Sequence, residues 1–423
     1  MKRILFFLSI VPSLVTRAQV PDHIYKPSIR SVKLYKYGEI YSYPVLKLNT
    51  PDQLELQFDD LDADAKNYYY SFQLCNVDWI PANIQPFDYI RGFQTNYIKT
   101  YRYSSISDTR YTHYEAIFPE RNSAITRSGN YLLKVFLNDD TSKLIFTKRF
   151  LVVDPRTSVS ALVLQPFDSR LFKTHQRVQV SVSTANAQLN IFSPQDVKVM
   201  IIQNNVWSDA LVLDRPSIFR GNYYEYSDEE KTTFPAGQEW RWIDLRSLRL
   251  MSERMMKLQD SGKQINVWVK PDGERRQQVY VYYQDLDGIF TLENMDGYNP
   301  LWQSDYAYTH FTFVPPGNRP YEGKNVHLFG ELTNYALNES SKMTFNAEKG
   351  VYEGTLYLKQ GYYNYSYVTV PENPRDGMVS RENTEGNYWG TENNYMALVY
   401  FRSFGSRADE LIGFTRINSP FQR

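Results

Sequence analysis

One cysteine, Cys75, stands in 423 residues, so no internal disulfide can form, and a Cys-based metal site or a Cys-x-x-Cys redox pair is excluded. Its aromatic, strand-like surroundings predict a small buried apolar residue and not a reactive thiol. Net charge is missing too: 47 basic residues balance 47 acidic ones, leaving no overall field to draw nucleic acid or anionic lipid. Any charged contact must be local. Helix-favouring runs of Ala, Leu, Glu and Lys are scarce, and no period of repetition marks a solenoid or propeller.

Catalytic grammar is equally scarce. The sequence has no Gly-x-Ser-x-Gly, no Walker-type glycine loop and no His-Glu-x-x-His. His23, His113, His175, His310 and His327 are scattered singly, none with a second ligand at metal spacing, and read as packed, hydrogen-bonded residues. The expectation is a protein that is not an enzyme and has no cofactor and no metal. Three acidic stretches test that reading: Asp59-Asp60-Leu61-Asp62-Ala63-Asp64, Asp285-Leu286-Asp287-Gly288 and Asp296-Gly297. Each is a fragment of a calcium loop, but the spacing is incomplete, and Asp-Gly is the ordinary turn between strands.

What is present begins with a leader. Lys2 and Arg3 precede an apolar run from Ile4 to Val15, and Thr16-Arg17-Ala18 places small residues where a signal peptidase reads. Residues 1–18 are expected to be a signal peptide, with Gln19 the mature start. The run is well short of the ~20 residues that span a bilayer. Without a cysteine after it there is no lipoprotein anchor. Thirty-five Tyr and twenty-four Phe then enrich the types that fit a pleated, half-buried surface. Irregular segment lengths and charged linkers argue against an outer-membrane barrel.

Period-two alternation places strands, and the fold class expected is all-β: a multi-domain β-sandwich, immunoglobulin-like or early-set-like, with few short helices. An N-terminal sandwich over 19–156 holds Tyr43 to Lys47, Leu54 to Phe58, Tyr68 to Leu74, Asn130 to Leu137 and Leu144 to Val153. Pro155 closes it. A middle β domain over 157–297 holds Val159 to Leu164, Arg177 to Val182, Val197 to Gln203 and Gln278 to Tyr283. Trp240 to Leu258 reads both ways, as a strand running into a short helix or as an exposed hairpin. A C-terminal domain over 298–423 holds Tyr306 to Val314 and Asn325 to Gly330. Within it Tyr352 to Leu358 and Tyr362 to Val368, separated by Lys359-Gln360-Gly361, read as a β-hairpin, and Val399 to Arg402 as the last central strand.

Two groups of side chains suit binding. Trp302, Tyr335, Tyr352, Tyr365 and Trp389 are either a stacking platform for sugars or core and rim of a sandwich. Arg246, Arg249, Arg254, Arg275 and Arg276 are either a solvated face or a partner-binding patch.

Strings along the chain carry a resemblance. They are Tyr68-Tyr69-Tyr70, Cys75-Asn76-Val77-Asp78-Trp79, Gly92-Phe93, Tyr111-Thr112-His113-Tyr114 and Ser128-Gly129-Asn130-Tyr131, then Gly237-Gln238-Glu239-Trp240-Arg241 and Asp244-Leu245-Arg246-Ser247. Val326-His327-Leu328-Phe329-Gly330, Lys359-Gln360-Gly361-Tyr362-Tyr363-Asn364-Tyr365, Glu385-Gly386-Asn387, Thr391-Glu392-Asn393 and Val399-Tyr400-Phe401-Arg402 follow. In this order the chain resembles the plug proteins of the type IX secretion system of Bacteroidetes-type envelopes over essentially its mature length. One position departs: the family pattern has His immediately before the cysteine, and here it is Leu74. The third region is also similar to early-set sandwiches of the glycogen-binding type, a likeness of fold alone.

The resemblance implies a periplasmic protein that sits on the inner mouth of a very large outer-membrane translocon barrel and closes it when idle. The barrel is then the partner, with no nucleic acid and no direct membrane insertion, and the chain is held to the outer membrane only through it. The alternative is a periplasmic carbohydrate-binding or polysaccharide-handling accessory. Trp240, Arg241, Trp242 and Arg246, crowded in one aromatic-cationic stretch, are the expected partner-binding residues.

Overall fold

Leu54, Leu56 and Phe58 recur at period two, so an extended chain sends all three to one side; Leu54–Asp60 is a strand with these side chains fully buried. The computed structural model describes residues 20–419 apart from 186, 188, 298 and 374–378, so the expected leader lies outside the described residues. The protein is all-β. Its one α-helix among the described residues is Glu229–Thr232, and no helix is long and apolar enough to cross a membrane.

The first sandwich packs a sheet ordered Ile29–Lys36, Leu54–Asp60, Thr112–Phe118, Thr100–Tyr103 on another ordered Val45–Lys47, Asp140–Val153, Gly129–Leu137, Tyr68–Cys75, Thr95–Tyr97. At its centre Phe58 stacks on Tyr114 at 5.1 Å and meets Tyr68 and Phe146 edge-on at 5.2 and 5.0 Å. Such ring pairs add about 0.5–1.5 kcal/mol beyond the area they bury. Buried tyrosines also need a partner for the hydroxyl: Tyr68 donates to Asp60 Oδ2 at 2.8 Å. Leu74, at the position where histidine was expected, fills this core.

The remaining chain is organised differently from the consecutive middle and C-terminal domains read at 157–297 and 298–423. Ser158–Leu164, His175–Ser183, Tyr223–Tyr226 and Ile218–Arg220 form one sheet of a second sandwich. Its other sheet is Leu211–Leu213, Val197–Gln203, Asn394–Phe401 and Glu410–Asn418. Val199 pairs with Val399. The strand expected to end the third domain therefore completes the second, and the third sandwich is an insertion between Pro235 and Asn394. The reason is burial: Val197, Val199, Ile201, Ala397 and Val399 share one core with Val178, Val180 and Val182, while Met200, Ile202, Met396 and Leu398 on the opposite face pack against the first sandwich.

In the third sandwich Tyr306–Val314 and Val351–Lys359 pair antiparallel, flanked by Ile265–Val269 and Thr344–Asn346. Tyr362–Pro371 lies in the facing sheet, paired with Arg241–Asp244, Phe290–Thr291 and Lys324–Phe329. The expected hairpin is therefore an arch. Gln360-Gly361 passes the chain from one sheet to the other, and a Cβ on Gly361 would sit 2.2 Å from the Thr291 carbonyl oxygen, so only glycine fits that crossing. One further reading changes: residues 278–283 are not a strand. Of the two readings of Trp240 to Leu258 the hairpin is the one found, with no helix: strand Arg241–Asp244 leads through a loop to a hairpin of Met255–Asp260 with Ile265–Val269.

The three sandwiches lock together through buried contacts. First and second share an apolar seam of Val77, Leu151 and Val153 against Met200, Leu398 and Leu411, crossed by the Tyr400 hydroxyl donating to Asn130 at 2.7 Å. First and third meet over Asp59, which accepts from Lys359 Nζ at 2.6 Å and the Tyr306 hydroxyl at 2.6 Å and contacts His113 Nδ1 at 2.6 Å. Lys33 crosses the same boundary to Glu331 at 2.5 Å and to the Phe290 carbonyl at 2.8 Å. Removing one member of a buried pair costs about 3–5 kcal/mol, so hinge motion that parts these charges is strongly opposed.

Candidate functional site

The stretch expected to meet a partner divides at Arg241. Trp240 is 2% and Arg241 6% exposed, which corrects their reading as docking residues: almost none of either side chain is left for a partner to cover. Alternation explains it, since Arg241 and Ile243 point inward from an edge strand while Trp242 points out. The Trp240 ring stacks on Phe329 at 6.3 Å under the Arg381 guanidinium at 4.5 Å.

Arg241 is the centre of a buried ionic core. Its Nε donates to Glu385 at 3.0 and 3.1 Å, its Nη1 to Asp272 at 2.7 Å and its Nη2 to the Gly273 carbonyl at 2.7 Å. Arg254 adds a bond to Asp272 at 2.6 Å and Arg275 one to Glu385 at 2.8 Å. The Tyr365 and Tyr367 hydroxyls donate to Asp272 at 2.7 and 2.9 Å. Burial alone would raise the Glu385 carboxyl, but Arg241 and Arg275 outweigh it and hold Glu385 down at about 2. Arg254 and Arg275, read with Arg246, Arg249 and Arg276 as one face, are thus committed to this ionic cluster while their side chains stay partly exposed. Sequence reasoning missed Asp272 and Glu385, because nothing local marks an acid whose partner lies 31 or 144 residues away.

Trp242 and Arg246 do reach the surface. The Trp242 ring stacks on Tyr362 at 5.9 Å, and Arg246 covers the same Tyr362 at 5.7 Å while pairing with Asp244 at 2.8 Å and Glu293 at 3.3 Å. The sugar-platform set does not gather into an exposed row. Tyr352 and Tyr365 belong to the third core, Trp389 packs on the second core, and Tyr335 meets Phe329 at 5.5 Å.

The acidic stretches also resolve. Lys66 Nζ sits among Asp60, Asp62 and Asp64 at 2.5, 2.5 and 2.8 Å, so an ammonium already occupies the centre of that loop. Asp296 accepts from the Ser247 hydroxyl at 2.7 Å and the Leu248 amide at 2.8 Å, an ordinary turn anchor. Cys75 is buried, and burial pushes its thiol up to about 12. A cleft of about 700 Å³ between the first and third sandwiches is lined by Arg30, Phe290, Tyr308, Glu331, Lys342 and Tyr357, with Glu331 held by Lys33.

Other strongly exposed apolar groups lie away from this stretch. Phe192 and Phe404 are 79% and 92% exposed on neighbouring loops of the second sandwich, their rings 6.2 Å apart. Val279, Val281 and Tyr282 stand out from the irregular 278–283 segment.

Residues 29–154, the first sandwich, match the family model described as type 9 secretion system plug protein 1st domain. No curated protein matches the chain. Among solved structures, the crystal structure at 2.30 Å of a hypothetical protein from Parabacteroides merdae ATCC 43184 is similar at 32% identity, with a TM-score of 0.89, over 95% of this chain and 100% of that one. The likeness runs through all three sandwiches, and with the match over the first of them the chain belongs to the type IX secretion system plug protein family.

Proposed function

We propose that this protein is a periplasmic plug that seats on the inner mouth of the large outer-membrane barrel of the type IX secretion system and seals it while no substrate passes. The observation that carries the reading is the buried bonding between sandwiches, above all Lys359 and Tyr306 of the third on Asp59 of the first. A stopper for a water-filled pore must keep its shape, and charges buried across the seams resist bending. The action needs contact and no chemistry, so we read the chain as no enzyme. The leader at 1–18 exports it, and the barrel alone holds it at the outer membrane.

Docking falls to exposed aromatics on loops, where Phe192 and Phe404 offer area that a partner can desolvate. Release requires a competing ligand or a modest interface, because a ligand shifts an equilibrium only by its preference for one state.

The test is capture of the barrel from detergent-solubilised envelope of the native host by the tagged mature chain. The barrel should be recovered, and Phe192→Asp with Phe404→Asp should reduce recovery at least about tenfold, the effect of ~1.4 kcal/mol, with the melting temperature unchanged. Failure to retain the barrel in any mild detergent, together with retention on a polysaccharide column, overturns the plug reading in favour of glycan binding.

A further inference from the structure

Carboxylates converge where the chain leaves the second sandwich for the third and where it returns. Glu239 lies two residues before strand Arg241–Asp244, Asp285 and Asp287 stand on the turn segment before Phe290–Thr291, and Glu392 leads into Asn394–Phe401. One oxygen from each of Glu239, Asp285 and Glu392 lies within 4.8 Å of those of the other two. Asp287 stands beside them, its charge acting on Asp285 and subject to those of Glu392 and Glu239.

Only neutral donors reach these groups. The Tyr280 hydroxyl and the Glu392 amide donate to Glu239, the Trp240 and Asp287 amides to Asp285, the Asn394 side chain to Asp287 and the Asn418 side chain to Glu392. Among the described residues no Lys or Arg pairs with any of the four acids. Arg275 acts on Glu239 and Arg416 on Asp287 only through space, and Arg275 spends its Nε on Glu385 and its Nη2 on the Glu239 backbone carbonyl. Two oxygens are left over: Glu239 Oε2 and Asp287 Oδ1 are buried with no hydrogen-bond partner, on side chains from residues only 1% and 7% exposed.

Buried anionic oxygens without a directly paired counter-charge are among the costliest groups a fold can carry. The contrast with Asp60, Asp62 and Asp64, where Lys66 fills the centre, is direct. Here the centre has no protein cation. We propose that Glu239, Asp285, Asp287 and Glu392 form a calcium site that ties together the outgoing and returning segments joining the second and third sandwiches. The donor chemistry selects the ion: every ligand atom is a hard oxygen, from carboxylates on three separate segments, with no imidazole or thiolate to favour zinc or copper. Calcium accepts an irregular shell of six to eight oxygens, which water and carboxylates complete together.

The experiment uses the full mature chain, stripped with EDTA. Isothermal titration with Ca²⁺ should show one saturable site, and Tb³⁺ should bind with luminescence sensitised through the adjoining Trp240 and Tyr280. The melting temperature in millimolar Ca²⁺ should exceed that in EDTA by about 5 °C, as expected for ligand at roughly a hundred times its Kd on a unit of this size. Glu239→Gln with Asp287→Asn should abolish all three responses, while Asp62→Asn with Asp64→Asn should leave them intact. Because the wild-type titrations need no variant, a folding defect in the double mutant leaves the test standing. Absence of saturable Ca²⁺ and Tb³⁺ binding by the wild type overturns the proposal, and so does loss of binding on changing Asp62 and Asp64.

Discussion

Replacing Lys359 by Met should cost the protein about 3 kcal/mol and uncouple its first and third sandwiches. The ammonium is fully buried, 2.6 Å from Asp59 and 2.5 Å from the Leu301 carbonyl, and 4.3 Å from the centre of the Tyr111 ring. Methionine keeps most of the apolar stem and removes only the charge. Breaking a buried pair costs about 3–5 kcal/mol, and the lower end applies because Asp59 keeps the Tyr306 hydroxyl and His113, each at 2.6 Å. At about 2–4 °C per kcal/mol for a unit of this size, the melting temperature should fall by about 6–12 °C. Differential scanning calorimetry reads this directly, and hydrogen exchange should show strands Leu54–Asp60 and Tyr306–Val314 opening together in the wild type and separately in the variant. Adding Asp59→Asn removes the stranded carboxylate and should recover most of the loss, because exchanging a whole buried pair for uncharged groups is nearly neutral. A loss below about 1 kcal/mol, the figure for a solvated surface pair, would refute the claim that this seam holds the body rigid.

Three further outcomes follow from the same chemistry. Glu385 has its carboxyl depressed from an ordinary 4.5 to about 2; a depressed acid stabilises the fold above its unfolded value and loses that contribution as pH falls, so acid unfolding should begin between about 4.5 and 2, with about 3 kcal/mol at stake, and Glu385→Gln should flatten that part of a stability–pH curve. Arg241→Glu should abolish folding of the third sandwich, whereas Arg246→Glu, at a half-exposed position beside Asp244 and Glu293, should shift stability by no more than about 1 kcal/mol in urea titrations; equal effects would contradict the burial that separates them. Cys75 should resist a thiol reagent at pH 8 in the native protein and react fully in denaturant, since burial both shields it and pushes its thiol up to about 12.

By itself the sequence determined the fold class and the positions of most strands. Side-chain alternation is a local property of extended backbone, so Leu54 to Phe58, Val197 to Gln203 and Tyr306 to Val314 were legible as strands from the residues alone. The burial of Cys75 was legible for the same reason. Strand partners were not, because hydrogen bonding between strands is blind to separation along the chain: Val197–Gln203 could be matched to Asn394–Phe401 only by the shared core they close. The arch at Gln360-Gly361 has the spacing of a hairpin, and only the facing sheet decides that its strands part. Residues 278–283 alternate like a strand yet find no edge to pair with. Trp240 and Arg241 have the composition of a binding hot spot, but partners at positions 272, 329 and 385 draw them inside. The carboxylate cluster shows both halves of the lesson. Asp285 and Asp287 were visible as an incomplete calcium loop, while Glu239 and Glu392, 153 residues apart, reach them only because the insertion of the third sandwich brings its two connecting segments side by side.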